Sequence, residues 1–264
     1  MFVVVSGPIG AGKSTVTRIY TQITGFEPLF ETVEGHPYLE RFYENPKEYS
    51  FRTQAFFLWD RFNKHYETVS SQRNIVADRS IYEDAIFAKV LYLRGEMDED
   101  DYLKTYLPHF KLLTQILKPP DIMIYLRASL DTLMYRINKR ARQMESGIPR
   151  DYMKMLSSAY EEWIEEYPHR KLIIETDNLD LTCDLNNDWY YFFEAIHNKV
   201  MNDDLPDEAL GLSSLKAELP RVGGNGFTRK CLDRRIEEAQ LISPRKRNLS
   251  KYGKVNREML FAGI

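Results

Sequence analysis

Apolar positions along the chain fall into two alternating patterns. Five short stretches, Phe2 to Val5, Glu27 to Phe30, Asn74 to Ala77, Asp121 to Leu126 and Lys171 to Glu175, are dominated by apolar residues and read as strands. Near-continuous apolar runs of this length suit strands buried on both faces. Between them lie longer segments with a helical period. From Ser129 to Glu145, apolar residues at 130, 133, 134, 137, 141 and 144 follow the 3.6-residue repeat. Further helices are expected at Lys13 to Thr24 (closed by Gly25), Pro37 to Tyr43, Ser50 to Ser70, Ile81 to Arg94, Glu99 to Leu117, Pro149 to Glu166 and Asn186 to Met201. Strands alternating with helices predict an α/β domain with a parallel sheet covered on both faces.

The first strand runs into Gly7-Pro8-Ile9-Gly10-Ala11-Gly12-Lys13-Ser14-Thr15, which satisfies G-x-x-x-x-G-K-[ST]. The glycines remove Cβ atoms so that backbone N–H groups can curl round a phosphate. Lys13 supplies a point charge, and the Ser14 hydroxyl is placed to ligate Mg²⁺. The helix from Lys13 brings its positive end to the same anion. This strand–loop–helix context predicts a site for a nucleoside triphosphate.

In open parallel sheets, ligands sit at the carboxyl ends of the strands. The second strand ends at Glu31, the third at Asp78-Arg79, and the helix after the fourth ends in Arg136, Lys139, Arg140, Arg142 and Glu145. Phosphoryl transfer uses such parts: cations for the moving phosphoryl group, a metal bridging phosphates, and a carboxylate for the attacking hydroxyl. Arg136 and Arg140, four apart on one flank of their helix, are expected to close over ATP as a lid. Taken singly, Glu31 reads as an exposed strand-end acid, and the arginines as a solvated helix end that suits the dipole.

Composition narrows the picture. The 264 residues are 43% hydrophobic and 28% charged, enough for one α/β domain with an appendage. No apolar run approaches ~18 residues, so no membrane partner is expected. Two cysteines far apart, Cys183 and Cys231, suggest neither a disulfide framework nor a zinc site and suit the cytoplasm. Because the first strand opens the sequence, no secretory signal is expected, and the five histidines are scattered. Charge is uneven. Residues 221–264 hold 11 Lys/Arg against 4 Asp/Glu, whereas residues 1–220 hold 25 against 35. Residues 1–202 are therefore expected to be the catalytic domain, 203–220 a polar connector and 221–264 a basic extension. The extension reads first as a solvated tail and next as a docking segment through Met259-Leu260-Phe261. Nucleic-acid contact comes last, because aromatics are sparse there.

Several separated blocks carry a resemblance. Phe30-Glu31-Thr32-Val33, Phe51-x-x-Gln54, Arg61, Asp78-Arg79-Ser80, Asp84 and Arg136-x-x-x-Arg140-x-Arg142-x-x-Glu145 occur in the order and spacing of the deoxyribonucleoside kinases. Glu31 to Tyr43 and Asp78 to Val90 are most similar to the bacterial deoxyadenosine and deoxyguanosine kinases. The resemblance covers about residues 1–200. It implies a P-loop kinase fold with a five-stranded parallel sheet, helices on both faces and a short Arg-rich lid. It implies ATP and Mg²⁺ as cofactors, a small-molecule deoxynucleoside as acceptor, and a homodimer or higher homo-oligomer.

By the same resemblance Glu31 is the base for the 5′-hydroxyl, and Lys13 and Arg79 steady the phosphates. Ser14 and Asp78 hold Mg²⁺. Arg140 and Arg142 are lid arginines, and Arg136 lies near the ATP phosphates or adenine. Tyr43 and Glu145 take the sugar 3′-hydroxyl. Gln54 pairs with the base edge, Phe87 stacks on it, and Arg61 with Asp84 completes the pocket. Gln54 and Arg61 are seven apart and share a helix face. An Asp at the base accepts from an exocyclic amine, which favours deoxyadenosine, then deoxyguanosine or deoxycytidine. Thr32 stands where the family usually has proline, and His36 where animal members carry tryptophan, so pocket shape is where this chain departs.

Two rival readings remain in view. A nucleoside-monophosphate kinase of the thymidylate kinase type shares the fold and an Asp-Arg block. Its acceptor phosphate would be repelled by Glu31 and Glu145. A non-catalytic nucleotide-binding subunit would have no use for Glu31 as a base.

Overall fold

The computed structural model describes residues 1–31, 35–140, 147–179 and 196–201. The chain divides into two units, Met1–Gly226 and Phe227–Ile264, and every described residue belongs to the first. The boundaries expected near 202 and 220 lie outside the described residues.

Five strands form one parallel sheet in the order β2-β3-β1-β4-β5. They are β1 (Phe2–Ser6), β2 (Glu27–Leu29), β3 (Ile75–Asp78), β4 (Ile122–Arg127) and β5 (Lys171–Glu175). All five matched the apolar runs to within a residue or two. β1 is the centre, with Val5 in register with Asp78 of β3 on one side and Ile124 of β4 on the other. Val3, Val4, Val5, Ile122, Met123 and Ile124 have no exposed surface, as expected of strands covered on both faces.

The helices are α1 (Lys13–Thr24), α2 (Leu39–Glu44), α3 (Pro46–Ser70), α4 (Asp84–Leu93), α5 (Leu107–Ile116), α6 (Leu130–Arg140) and α7 (Arg150–Glu166). Gly25 ends α1 in the left-handed conformation, its N–H donating to Thr21 O. The long helix begins four residues before the expected Ser50. Pro46 needs no N–H partner at a helix start, so α3 follows α2 with only Asn45 between them. Pro149 precedes α7 as its N-cap residue.

The segment expected as one helix from Glu99 to Leu117 is two. A π-helical turn, Asp100–Tyr106, precedes α5. Pro108 cannot donate to the carbonyl four residues back, and the winding changes just before it. The ends of the helices expected at Ser129 to Glu145 and Asn186 to Met201 lie partly outside the described residues; residues 196–201 are helical. Among the described residues, no helix is long and apolar enough to cross a membrane.

Candidate active site

The loop after β1 is shaped by glycine. Gly7 has φ +143, and a Cβ there would stand 2.7 Å from the Leu126 carbonyl oxygen. Gly10 has φ +86, and its Cβ would meet Leu133 O at 2.8 Å and Ile137 Cγ1 at 3.0 Å. These close approaches let the loop lie against the end of β4 and against α6. Lys13 Nζ donates to the carbonyls of Gly7 and Pro8 at 2.8 and 2.9 Å. Burial, seconded by the charge of Arg79, pulls the Lys13 pKa down to about 7, against the attraction of Asp78, Glu83 and Glu31.

At the carboxyl end of β3, the Ser14 hydroxyl donates to Asp78 Oδ2. The other oxygen, Asp78 Oδ1, is buried without a hydrogen-bond partner. Burial raises the Asp78 pKa, opposed by Lys13, the Ser14 bond and Arg79. A buried carboxylate oxygen with no donor, beside a serine hydroxyl on a phosphate loop, is a donor set that fits a hard divalent cation.

Glu31 stands just beyond the end of β2. Arg61 Nη2 donates to its Oε1, and Arg79 Nε to its Oε2 at 3.3 Å. Burial alone would raise this carboxyl. Arg61, Arg79 and Lys13 outweigh burial and hold it at about 2, so Glu31 is ionised at neutral pH. Arg61 also pairs with Asp84 through Nη1, which joins the strand-end acid to the start of α4. Asp84 is 1% exposed, and its Oδ2 has no hydrogen-bond partner.

Arg79 is, among the described residues, the one non-glycine with a left-handed backbone, at φ +75. Backbone strain of this kind costs about 1–3 kcal/mol and persists only where the surroundings enforce it. Its Nη1 donates to the Tyr160 hydroxyl at 2.6 Å, and its guanidinium lies 4.8 Å from the centre of the Phe87 ring. Burial keeps the Tyr160 phenol protonated far above neutral pH.

Two cavities flank the phosphate loop. One, of about 160 Å³, is lined by Glu31, Tyr43, Gln54, Arg61, Arg79 and Phe87 together with Lys13, Ser14 and Asp78. The other, of about 750 Å³, is lined by Gly10, Gly12, Thr15, Arg136 and Lys139, and by Asp177 and Leu179 beyond β5. Gly10 and Arg140 border both.

Arg136 is placed as an anchor as well as a lining residue. It donates to Ala11 O at 3.4 Å, to Thr176 Oγ1 at 3.0 Å and to Leu179 O at 3.0 Å, tying the loop to the end of β5. Arg142, Glu145 and Thr32 lie outside the described residues. His36 is buried against Phe56 and Phe57, with ring centres 4.5 and 4.3 Å away, and it packs the pocket wall from behind.

The sequence reading missed Tyr152, Phe57 and Thr53, which also line the smaller cavity, and the Glu83–Tyr160 pair behind Arg79. Glu83 carried a signal, since Ser80-x-x-Glu83 has the capping-box spacing. Tyr160 carried none, because a tyrosine on the apolar stripe of a helix reads as core.

Comparison with known proteins agrees with this geometry. The sequence model of the family described as deoxynucleoside kinase matches residues 3–203. The chain is 38% identical over 191 residues to a deoxyadenosine/deoxycytidine kinase of Bacillus subtilis, covering 70% of this chain and 87% of that protein. It is 37% identical over 187 residues to a deoxyguanosine kinase of Lactobacillus johnsonii, covering 67% and 83%. Among solved structures, a deoxyadenosine kinase from M. mycoides with dCMP and a flexible dCDP bound superposes with a TM-score of 0.66 at 33% identity. That match covers 76% of this chain and 99% of the other. The matched region spans the sheet, the phosphate loop and both cavities, and the chain belongs to the deoxynucleoside kinase family, phosphotransferases that pass a phosphoryl group from ATP to a deoxynucleoside.

Proposed function

We propose that the smaller cavity takes a neutral deoxynucleoside, with deoxyadenosine preferred over deoxyguanosine and deoxycytidine, and that Glu31 accepts the proton of its 5′-hydroxyl. The observation that carries this reading is the ionised Glu31 carboxylate in a cleft that Gln54 and Arg61 also line, with Asp84 paired to Arg61 behind them. The Glu31 carboxylate repels an acceptor phosphate and suits a hydroxyl. Arg61 and Arg79, which line the cleft, are both paired with carboxylates.

Gln54 offers both a donor and an acceptor to a base edge. Asp84 Oδ2, buried and without a partner, is suited to an exocyclic amine, which adenine and cytosine carry and thymine lacks. Phe87 supplies an apolar face for the base, and Tyr43 a hydroxyl for the sugar. On the opposite side, the loop amides and Lys13 receive the triphosphate of ATP, Arg140 borders both substrates, and Arg136 holds the loop against β5. Arg142 and Glu145 keep the roles that the family resemblance gives them.

Ser14 and Asp78 would hold Mg²⁺, and the ion, when bound, offsets charge on the phosphates. Arg79 and Lys13 add positive charge where it develops during transfer, and Glu31 holds the hydroxyl proton. We also infer a cytoplasmic homo-oligomer. Trp59 and Tyr66 on α3 are about half exposed and, with Phe62, form an aromatic stripe suited to a second copy. Residues 203–220 are assigned as connector and 221–264 as an extension outside the catalytic unit.

The test is a steady-state panel of the four deoxynucleosides and their ribose counterparts with ATP and Mg²⁺. The expected result is the highest kcat/KM with deoxyadenosine. A preference for thymidine would remove Asp84 as reader of an amine.

A further inference from the structure

Behind Arg79, on the side away from the cleft, lies a fully enclosed polar cluster that the chemistry above does not use. Glu83 and Tyr160 have no exposed surface. Glu83 Oε2 accepts from the Tyr160 hydroxyl at 2.7 Å, from Ser6 Oγ at 2.8 Å and from Arg79 Nη1 at 3.4 Å. Its Oε1 accepts from the Ser80 amide at 2.9 Å. The Tyr160 hydroxyl donates to Glu83 and accepts from Arg79 Nη1 at 2.6 Å, so one oxygen bridges carboxylate and guanidinium. Four donors from β1, the end of β3 and α7 thus converge on one buried carboxylate.

We propose that Tyr160 and Glu83 are positioning residues for phosphoryl transfer: they clamp Nη1 of Arg79 from behind, so that its Nε edge faces Glu31 and the reacting oxygens. This rests on the reading of Arg79 as the cation at those oxygens. Three features support a clamp over ordinary core packing. Arg79 has a strained left-handed backbone, which needs surroundings that enforce it. Its guanidinium is fixed on three sides, by Tyr160 and Glu83 at Nη1, by Glu31 at Nε, and by the Phe87 ring beneath it. Tyr160 is itself locked, stacked on Tyr125 at 6.2 Å with Phe87 at 5.9 Å and Trp163 at 6.0 Å edge-on.

A buried arginine held only by packing would need neither a buried acid nor a phenol behind it. An apolar residue would fill that space without the desolvation cost of a carboxylate. Phe87 lines the acceptor cavity and also touches both Arg79 and Tyr160. The clamp therefore connects the pocket wall to the cation that acts on the phosphate.

Tyr160→Phe keeps the ring and removes the bridging hydroxyl. With ATP, Mg²⁺ and deoxyadenosine, the single-turnover rate of transfer is expected to fall ~10-fold or more, while KM for both substrates stays within about twofold. Glu83→Gln is expected to do the same, and it serves if Tyr160→Phe does not fold. Arg79→Lys alone is expected to be slow, and adding Tyr160→Phe to it is expected to change the rate by less than about twofold, because the clamp has then lost the guanidinium it holds. A structural role predicts raised KM and effects that multiply in the double variant, and that pattern overturns the proposal. So does a folded Tyr160→Phe protein with an unaltered rate. If Arg79→Lys itself kept the full rate, the reading of Arg79 would fall and the clamp with it. A slow Arg79→Lys beside a normal Tyr160→Phe removes the clamp alone.

Discussion

The charge on Glu31 is set by its neighbours, and Arg61 is the one that can be removed without touching the phosphates. Burial favours the neutral acid, yet Arg61, Arg79 and Lys13 hold the carboxyl at about 2 against an ordinary 4.5. That difference corresponds to about 3 kcal/mol favouring the ionised form. Arg61 makes the largest of the opposing charge interactions and donates a hydrogen bond besides. Removing it alone would leave Asp84 buried and unpaired, at a cost of about 3–5 kcal/mol. The informative variant is therefore the double, Arg61→Met with Asp84→Asn.

A cation at this distance moves a carboxylate by about 1–3 units, so Glu31 in the double variant is expected to titrate at ~3–5. With Glu31 as the proposed base, kcat/KM should fall as pH drops from about 6 to 3 in the variant and stay nearly level there in the native protein. The absolute kcat/KM is expected to be lower at every pH, since Arg61 lines the smaller cavity and Asp84 is paired with it; the shape of the profile is what is read. Stability follows the same sign. A depressed carboxyl contributes fully above its unfolded value of 4.5 and loses that contribution as pH falls toward 2, so the variant should show a shallower acid loss in urea unfolding. Identical pH–rate profiles for the two proteins would refute the assignment of Arg61 as the group that keeps Glu31 charged.

Other predictions bear on the rest of the site. Glu31→Gln should lower turnover ~10²-fold or more with little change in nucleoside binding; near-normal turnover would remove Glu31 as base. Gly10→Ala places a methyl 2.8 Å from Leu133 O at a left-handed φ, and it should raise KM for ATP and lower Tm, with no change expected in the nucleoside preference. Lys13, at about 7 without nucleotide, should gain a fraction of a proton when phosphate binds near neutral pH; calorimetry in buffers of different ionisation enthalpy should show that uptake in the native protein and lose it in Lys13→Met. Deleting residues 223–264 should leave the chemistry intact and alter oligomeric state or solubility, and a folded but inactive product would place the extension in the active site.

The parts legible in the sequence share a local rule. The phosphate loop is contiguous, so spacing alone places Lys13 and Ser14. Glu31 and Asp78-Arg79 end apolar runs, and parallel sheets bring such ends to one edge. Gln54 and Arg61 follow from two helical turns. What stayed hidden depends on contacts between distant segments. Tyr160 meets Glu83 across 77 positions and Arg79 across 81, and no period in α7 distinguishes it from the core residues beside it. The left-handed backbone of Arg79 is likewise unreadable, because it is imposed by what surrounds it. Arg136 was expected as a nucleotide contact, and its hydrogen bonds to Ala11, Thr176 and Leu179 depend on β5 lying beside the loop. The early start of α3 and the π-helical turn before Pro108 are proline effects that apolar periodicity does not register.

The acceptor decides between this site and its nearest alternative. Initial rates with ATP and Mg²⁺ should be compared for deoxyadenosine and for deoxyadenosine 5′-monophosphate under the same conditions. With Glu31 as the proposed base for the 5′-hydroxyl, the cleft should phosphorylate the nucleoside and leave the monophosphate untouched. Turnover of the monophosphate, with none of the nucleoside, would contradict it.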